Sequence, residues 1–181
     1  MSKVTDFPTS AKLLHWLSAL LIICMLFLGV SMIQSLAPWH DSALRLHQSV
    51  GVLVLILVCI RLINRLLIKV PALPTDLSRW QRLAAKGSQV LLYLLMVALP
   101  ISGWLMQNAA GLPVSFFGIF QLPLFVEASL RSYGLFRELH ALLAWSLLAV
   151  IVLHISAALH HGVIRKDSVL PSMLFKFKSR K

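Results

Sequence analysis

The chain has 181 residues and a formal net charge of +11, with 59% hydrophobic and only 13% charged residues. A soluble domain carries about one quarter charged residues because its surface must face water, so this composition excludes an ordinary soluble fold and makes a bilayer the natural solvent. The positive charge does not point to nucleic acid, because the basic residues sit in short segments between apolar runs rather than in one stripe with stacking aromatics; they read as anchors on an anionic membrane face.

A helix crossing the hydrocarbon core needs about 20 apolar residues. The first uncharged run, Leu13 to Pro38, meets that length. It lacks a small-residue cleavage site and carries His15 near its start, so it is expected to be a retained span rather than a removed secretory signal. The second run, Leu46 to Ile60, is short. It spans only if the helix continues through Arg61, Leu62, Ile63, Asn64 and Arg65, with both arginines snorkelling to the interface. Gly87 to Val126 holds a third span plus a loop, and Leu139 to Ile164 a fourth. Helices are therefore expected near 11–34, 43–68, 84–107 and 137–163, in a single domain over residues 1–181. The fold class is all-α, an integral membrane four-helix bundle. Pro38, Pro71 to Pro74 and Pro113 fall between helices, where proline costs least, while Pro100 lies inside the third and is expected to kink it. Cys24 and Cys59, both in apolar runs, are expected to be small buried apolar side chains.

If both termini share one side, that side carries Lys3, Lys12, Arg61, Arg65, Lys69, Arg79, Arg82, Lys86 and the six basic residues from Arg165 to Lys181, fourteen of the seventeen. Arg45, Arg131 and Arg137 remain on the other. The positive-inside rule then places both termini in the cytoplasm. The segment from about Asn108 to Phe136 becomes an outer loop containing Phe116, Phe117, Phe120 and Phe125. Its apolar character predicts that it packs back over the bundle mouth as an interfacial helix.

Seven histidines occur, and ionisable residues inside spans are expensive and usually functional. His140 and His154 share the fourth helix. Fourteen residues is nearly four turns, so both project from almost the same face, about 21 Å apart along the axis. That separation suits two haems stacked across a bilayer, each needing an axial imidazole. His47, at the outer start of the second helix, is expected to face His140, and His15, at the inner start of the first, to face His154. The competing reading is a set of interhelical hydrogen bonds. A single non-haem ion is excluded for the pair by its separation, and no carboxylate or thiol cluster completes a smaller site.

With these residues in view, the chain resembles the bacterial cytochrome b561 family, whose best-known type is a superoxide oxidase that reduces ubiquinone. The resemblance rests on Leu14-His15-Trp16-Leu17, Leu46-His47-Gln48-Ser49-Val50-Gly51, Tyr93-Leu94-Leu95 and Ala98-Leu99-Pro100-Ile101-Ser102-Gly103. It continues in Leu139-His140, Leu153-His154, Ala158-Leu159-His160-His161 and Lys166-Asp167, and so covers nearly the whole chain. It implies a multi-pass cytochrome of the bacterial inner membrane with two b haems, ligated by the pairs His15–His154 and His47–His140. Electrons would pass between a periplasmic donor, superoxide being one candidate, and the quinone pool. One departure is Gln89, where family members commonly carry a histidine.

His161 resembles the family histidine near the cytoplasmic quinone site; a histidine there bonds a quinone carbonyl and relays a proton, or is simply solvated by headgroups. His160 points about 100° away and His40 lies in an outer loop; both read as surface. Arg61, fourteen residues after His47 on the same face, either holds a haem propionate bidentately or serves as a topology anchor. Arg45, Arg131 and Arg137 form a positive outer mouth for an anion or pair with Asp41, Glu127 and Glu138. Trp16, Trp104 and Trp145 read as packing or interface anchors. A reading of a different class is an electron-transfer membrane subunit that serves a separate periplasmic redox protein and has no substrate chemistry of its own.

Overall fold

A computed structural model describes residues 6–34 and 37–175. Four long helices are present: α1 Thr9–Gln34, α2 His40–Leu67, α3 Arg79–Ala109 and α4 Leu130–Leu159, the last continued by a π-helical turn His160–Arg165 and a 3-10 turn Pro171–Met173. All four are long and apolar enough to cross a membrane. Of the basic residues invoked for topology, Lys3, Lys176, Lys178, Arg180 and Lys181 lie outside the described residues.

Two helices begin earlier than their apolar runs suggest. α3 starts five residues before position 84 because Ser78 and Gln81 form a capping box. The Gln81 amide donates to Ser78 Oγ at 3.3 Å and the Ser78 amide to Gln81 Oε1 at 2.9 Å, which satisfies donors a helix start leaves open. α4 starts at Leu130 rather than 137, behind Ser129, whose hydroxyl accepts from the Ser132 amide at 3.4 Å. Hydropathy marks where a helix enters lipid, whereas caps mark where it begins.

The bundle keeps little of its apolar surface inside. Phe27 is 72% exposed, Leu67 80% and Leu153 68%. In water such surface would be a liability; in a bilayer it is the solvated face, and helix association depends on close packing instead. Cys24 and Cys59 belong to this outer face, contrary to the expected burial. The core is one short apolar layer at mid-height: Ile22, Val54, Val58, Leu95, Met96 and Leu147. α1 packs chiefly on α2 and α3 on α4, with α2 joining the halves.

The segment before α1, the α2–α3 link and the chain beyond α4 meet at one end, called inner below. There the Phe7 amide donates to the Ser172 carbonyl at 3.3 Å, Lys12 Nζ to the Leu174 carbonyl at 2.7 Å and Trp16 Nε1 to the Met173 carbonyl at 3.0 Å. Trp104 plays the matching part at the outer end, donating to the Pro123 carbonyl at 3.1 Å.

The outer segment does fold back over the bundle, but as a β-hairpin, not the expected helix. β1 Ser115–Phe116 pairs antiparallel with β2 Phe120–Gln121. The turn has Phe117 at φ 48 and Gly118 at φ 75, the positive pair that primed hairpin turns require. Phe117 is costly there, and Ser49 holds it. The Phe117 amide donates to Ser49 Oγ at 3.1 Å, and that hydroxyl in turn reaches the Ser115 and Arg45 carbonyls at 3.1 and 3.0 Å. Replacing Ser49 with alanine strands the Phe117 amide at a local cost of about 1–3 kcal/mol. Amide exchange at 115–121 is expected to accelerate while exchange in the four helices is unchanged.

Candidate functional site

The helices bring the four central histidines together in two pairs at two heights. The His47 and His140 rings have centroids 6.3 Å apart with planes at 72°. The His15 and His154 rings have centroids 6.3 Å apart with planes at 63°. Metal–imidazole bonds of about 2 Å put two imidazoles on opposite sides of one iron at roughly this centroid separation. Two rings joined by a direct N–H···N bond would sit about 1 Å closer, and no hydrogen bond joins the rings of either pair. Among the described residues no three His, Cys, Asp or Glu side chains gather as a metal cluster.

Each ring's surroundings bear on what it can hold. His140 Nδ1 lies 3.1 Å from the Leu99 carbonyl and 2.9 Å from Ser102 Oγ, while the Ser102 hydroxyl itself donates to that carbonyl at 2.7 Å. A carbonyl only accepts, so Nδ1 carries the proton and Nε2 keeps its lone pair, the form a metal ion requires. Gly103 makes this approach possible. A Cβ built there would meet His140 Cε1 at 3.1 Å and Nδ1 at 3.3 Å, closer than ordinary van der Waals contact. His47 Nδ1 is buried with no partner. A buried polar atom the polypeptide leaves unpaired marks a site finished by another group. The residues present therefore fit haem: paired imidazoles, a bare Nε2 and an incomplete polar shell.

Between the pairs lies the apolar layer. Leu147, 1% exposed, stands seven residues from both His140 and His154, and Val54 seven from both His47 and Arg61. It keeps water from the middle of the bundle, where an unpaired charge would be most costly.

The inner pair carries a cation. Arg61 Nη2 lies 2.7 Å from His15 Nδ1, Nη1 donates to Ser18 Oγ at 2.9 Å, and the guanidinium sits 5.4 Å from the Tyr93 ring centre. Sequence spacing set Arg61 at this height but did not identify Ser18 or Tyr93 as its companions. Arg65, the other snorkelling candidate, donates to Gln89 Oε1 at 3.2 Å and lies over the Phe7 ring. Gln89 thus engages the inner end of α2.

His161 stands apart from both pairs, on the π-helical turn. Its Nδ1 is 2.6 Å from Asp167 Oδ2, Arg165 Nε reaches the same oxygen at 3.3 Å, and the Val169 amide donates to Oδ1 at 3.0 Å. Arg165 also forms an ion pair with Asp76 of the α2–α3 link. Desolvation pushes the Asp167 carboxyl up, but the bonds from His161, Val169 and Arg165 prevail and hold it below the usual carboxylate range. π turns concentrate at functional sites. Lys166, left-handed at φ 53, reverses the chain so that Asp167 can return to the ring. Lys166-Asp167 was visible in the sequence; its fold back onto His161 was not. His160 is exposed and His40 begins α2. Arg45 is ion-paired to Asp41, so it is not a free part of any positive outer mouth.

Comparison with known proteins gives a consistent result. The family described as prokaryotic cytochrome b561 matches residues 6–176. The chain is 36% identical to cytochrome b561 homolog 2 of Escherichia coli K12 over 167 residues, covering 91% of this chain and 89% of that one. It is 28% identical to cytochrome b561 homolog 1 of the same organism over 172 residues, covering 93% and 96%. It is 32% identical to a "probable superoxide oxidase CybB" of Yersinia pestis over 167 residues, covering 90% and 92%.

Proposed function

The chain belongs to the prokaryotic cytochrome b561 family of haem b-binding membrane electron carriers, and from that premise we propose that it holds two b haems and carries electrons across the bacterial inner membrane, from superoxide outside to a quinone. One haem would be held by His15 with His154 and the other by His47 with His140, with both termini on the cytoplasmic side. The observation that carries this reading is the pair of imidazole gaps, equal at 6.3 Å and set at two heights of one bundle. Bound haem would supply reversible one-electron iron chemistry.

The polypeptide's part is to hold His140 in the tautomer that leaves Nε2 bare, keep the middle dry and meet the quinone at the cytoplasmic end. His161 is the group assigned to the quinone: with Nδ1 donating to Asp167, a ring that takes a second proton from the cytoplasm carries it on Nε2, donates it to a quinone carbonyl oxygen and returns to neutral when it is handed over. The name of the Yersinia pestis relative supports superoxide as the donor.

A pyridine haemochrome assay on detergent-purified protein tests the core of this. Two b haems per chain are expected, one would mean the ligands are mispaired, and none would end the reading. Purified protein mixed with superoxide and ubiquinone should then show rapid haem reduction. If reduction needs an added periplasmic protein, the chain is an electron-transfer subunit and not a superoxide oxidase.

A further inference from the structure

The two imidazole pairs match in spacing and differ in charge. Beside His15 lies the Arg61 guanidinium, and its contacts are a ring nitrogen, a hydroxyl and an aromatic face, none of them an anion. Lys12, one turn before His15, has Asp6 at 3.6 Å and gives a hydrogen bond to the Leu174 carbonyl, so its charge is answered locally. Beside the outer pair the polar contacts are the Leu99 carbonyl and the Ser102 hydroxyl. Arg45, two residues from His47, is exposed and turned to Asp41.

We propose that Arg61, held beside His15 by Ser18 and Tyr93, poises the inner haem at the higher reduction potential, so that an electron entering at the outer pair runs downhill to the inner one. The inference rests on the two-haem reading above. An iron porphyrin gains one positive charge on oxidation, so a fixed cation nearby disfavours the ferric form, and more strongly in an apolar bundle than in water. The carbonyl that accepts from His140 Nδ1 acts in the opposite sense at the outer site, since it makes the ring a stronger donor to iron and favours the ferric form. The transfer balances simply: the ferrous outer iron gives up one electron, the ferric inner iron takes it, and no bond or proton moves.

Arg61 also constrains how the inner site loads. A guanidinium only donates, so His15 Nδ1 accepts from it and the neutral ring's proton then lies on Nε2. Iron at Nε2 requires that proton on Nδ1. Arg61 must then release the ring, and Ser18 and Tyr93 keep its charge in place.

The test is a spectroelectrochemical titration of the purified two-haem protein, with the waves assigned by single-haem variants: H47A keeps the inner haem and H15A the outer. The inner wave is expected at the higher potential. R61Q is expected to lower the inner wave alone, reducing the equilibrium preference of the electron for the inner site about tenfold, a shift of about 59 mV for a one-electron couple. R61K, which keeps the charge, is expected to restore most of it. An inner wave below the outer one in the unaltered protein overturns the proposal. So does an R61Q wave that stays put or rises, or an R61K wave no different from R61Q. If R61Q loses the inner haem, the order of the two waves in the unaltered protein still decides. A preparation without haem would instead remove the two-haem reading itself.

Discussion

Replacing His140 with alanine is expected to leave one b haem per chain in place of two and to cut transmembrane electron transfer at least about a hundredfold. The iron at the outer level would keep only His47, and a six-coordinate haem cannot be held by one weak axial bond as it is by two. Losing even an outer-shell partner of a metal ligand costs about 10–100-fold in affinity or activity, and a ligand itself is worth more. The loss should be confined to one level, because fourteen residues and the layer around Leu147 separate His140 from His154. His154→Ala is therefore expected to give the mirror result, one haem kept at the outer pair, and the double variant none. The bundle should still insert, since its outer surface is lipid-facing and its backbone bonds lie within the helices. Haemochrome content, read beside an unchanged elution profile from gel filtration, checks this. Two haems retained in H140A would place the outer ligand elsewhere.

Gly103→Val is expected to mimic H140A without touching a ligand. Even the first added carbon would stand 3.1 Å from His140 Cε1, and the two methyl groups beyond it would push the ring away from Leu99 and out of line with His47. Off-position ligands are costly because a metal site fixes both distance and ring orientation. Outer-haem occupancy should fall to a small fraction with the inner haem intact. Gly29 supplies the contrast. A Cβ there meets His47 Cε1 at 3.5 Å, ordinary contact, so Gly29→Ala should keep both haems. Equal behaviour of G103V and G29A would mean that the His140 ring has room to retreat, and that its closeness to α3 is not what sets the binding geometry.

How much of this was legible beforehand depends on the range of the physics involved. Apolar runs of spanning length encode a membrane bundle directly, because transfer of a side chain into hydrocarbon is a property of that side chain and adds along the chain. Helical periodicity likewise set His140 and His154 on one face at two heights, and Arg61 at the height of the inner pair, since 3.6 residues per turn is local geometry. Cap chemistry was written at Ser78 and Gln81 but is masked in hydropathy by the polar first turn of α3. The hairpin at 115–121 was hidden for a related reason. Its three phenylalanines announce apolar surface, yet a two-residue strand pair is stabilised by Ser49, which lies 66 residues before Ser115.

Composition and helical period encode the solvent, the number of spans and the heights at which imidazoles are offered. What surrounds each imidazole comes from the packed fold: the Leu99 carbonyl at His140, the Arg61 guanidinium at His15 and the Asp167 carboxylate at His161. Those contacts join segments 41, 46 and 6 residues apart. The first two depend on which faces of neighbouring helices meet, and the third on a left-handed turn at Lys166. Hydropathy and period fix the span of a helix that lies in lipid and the height of each residue along it, but rotation about its axis is set by packing against its neighbours. That rotation chooses the polar atoms around each ring, and with them the chemistry the ring can perform.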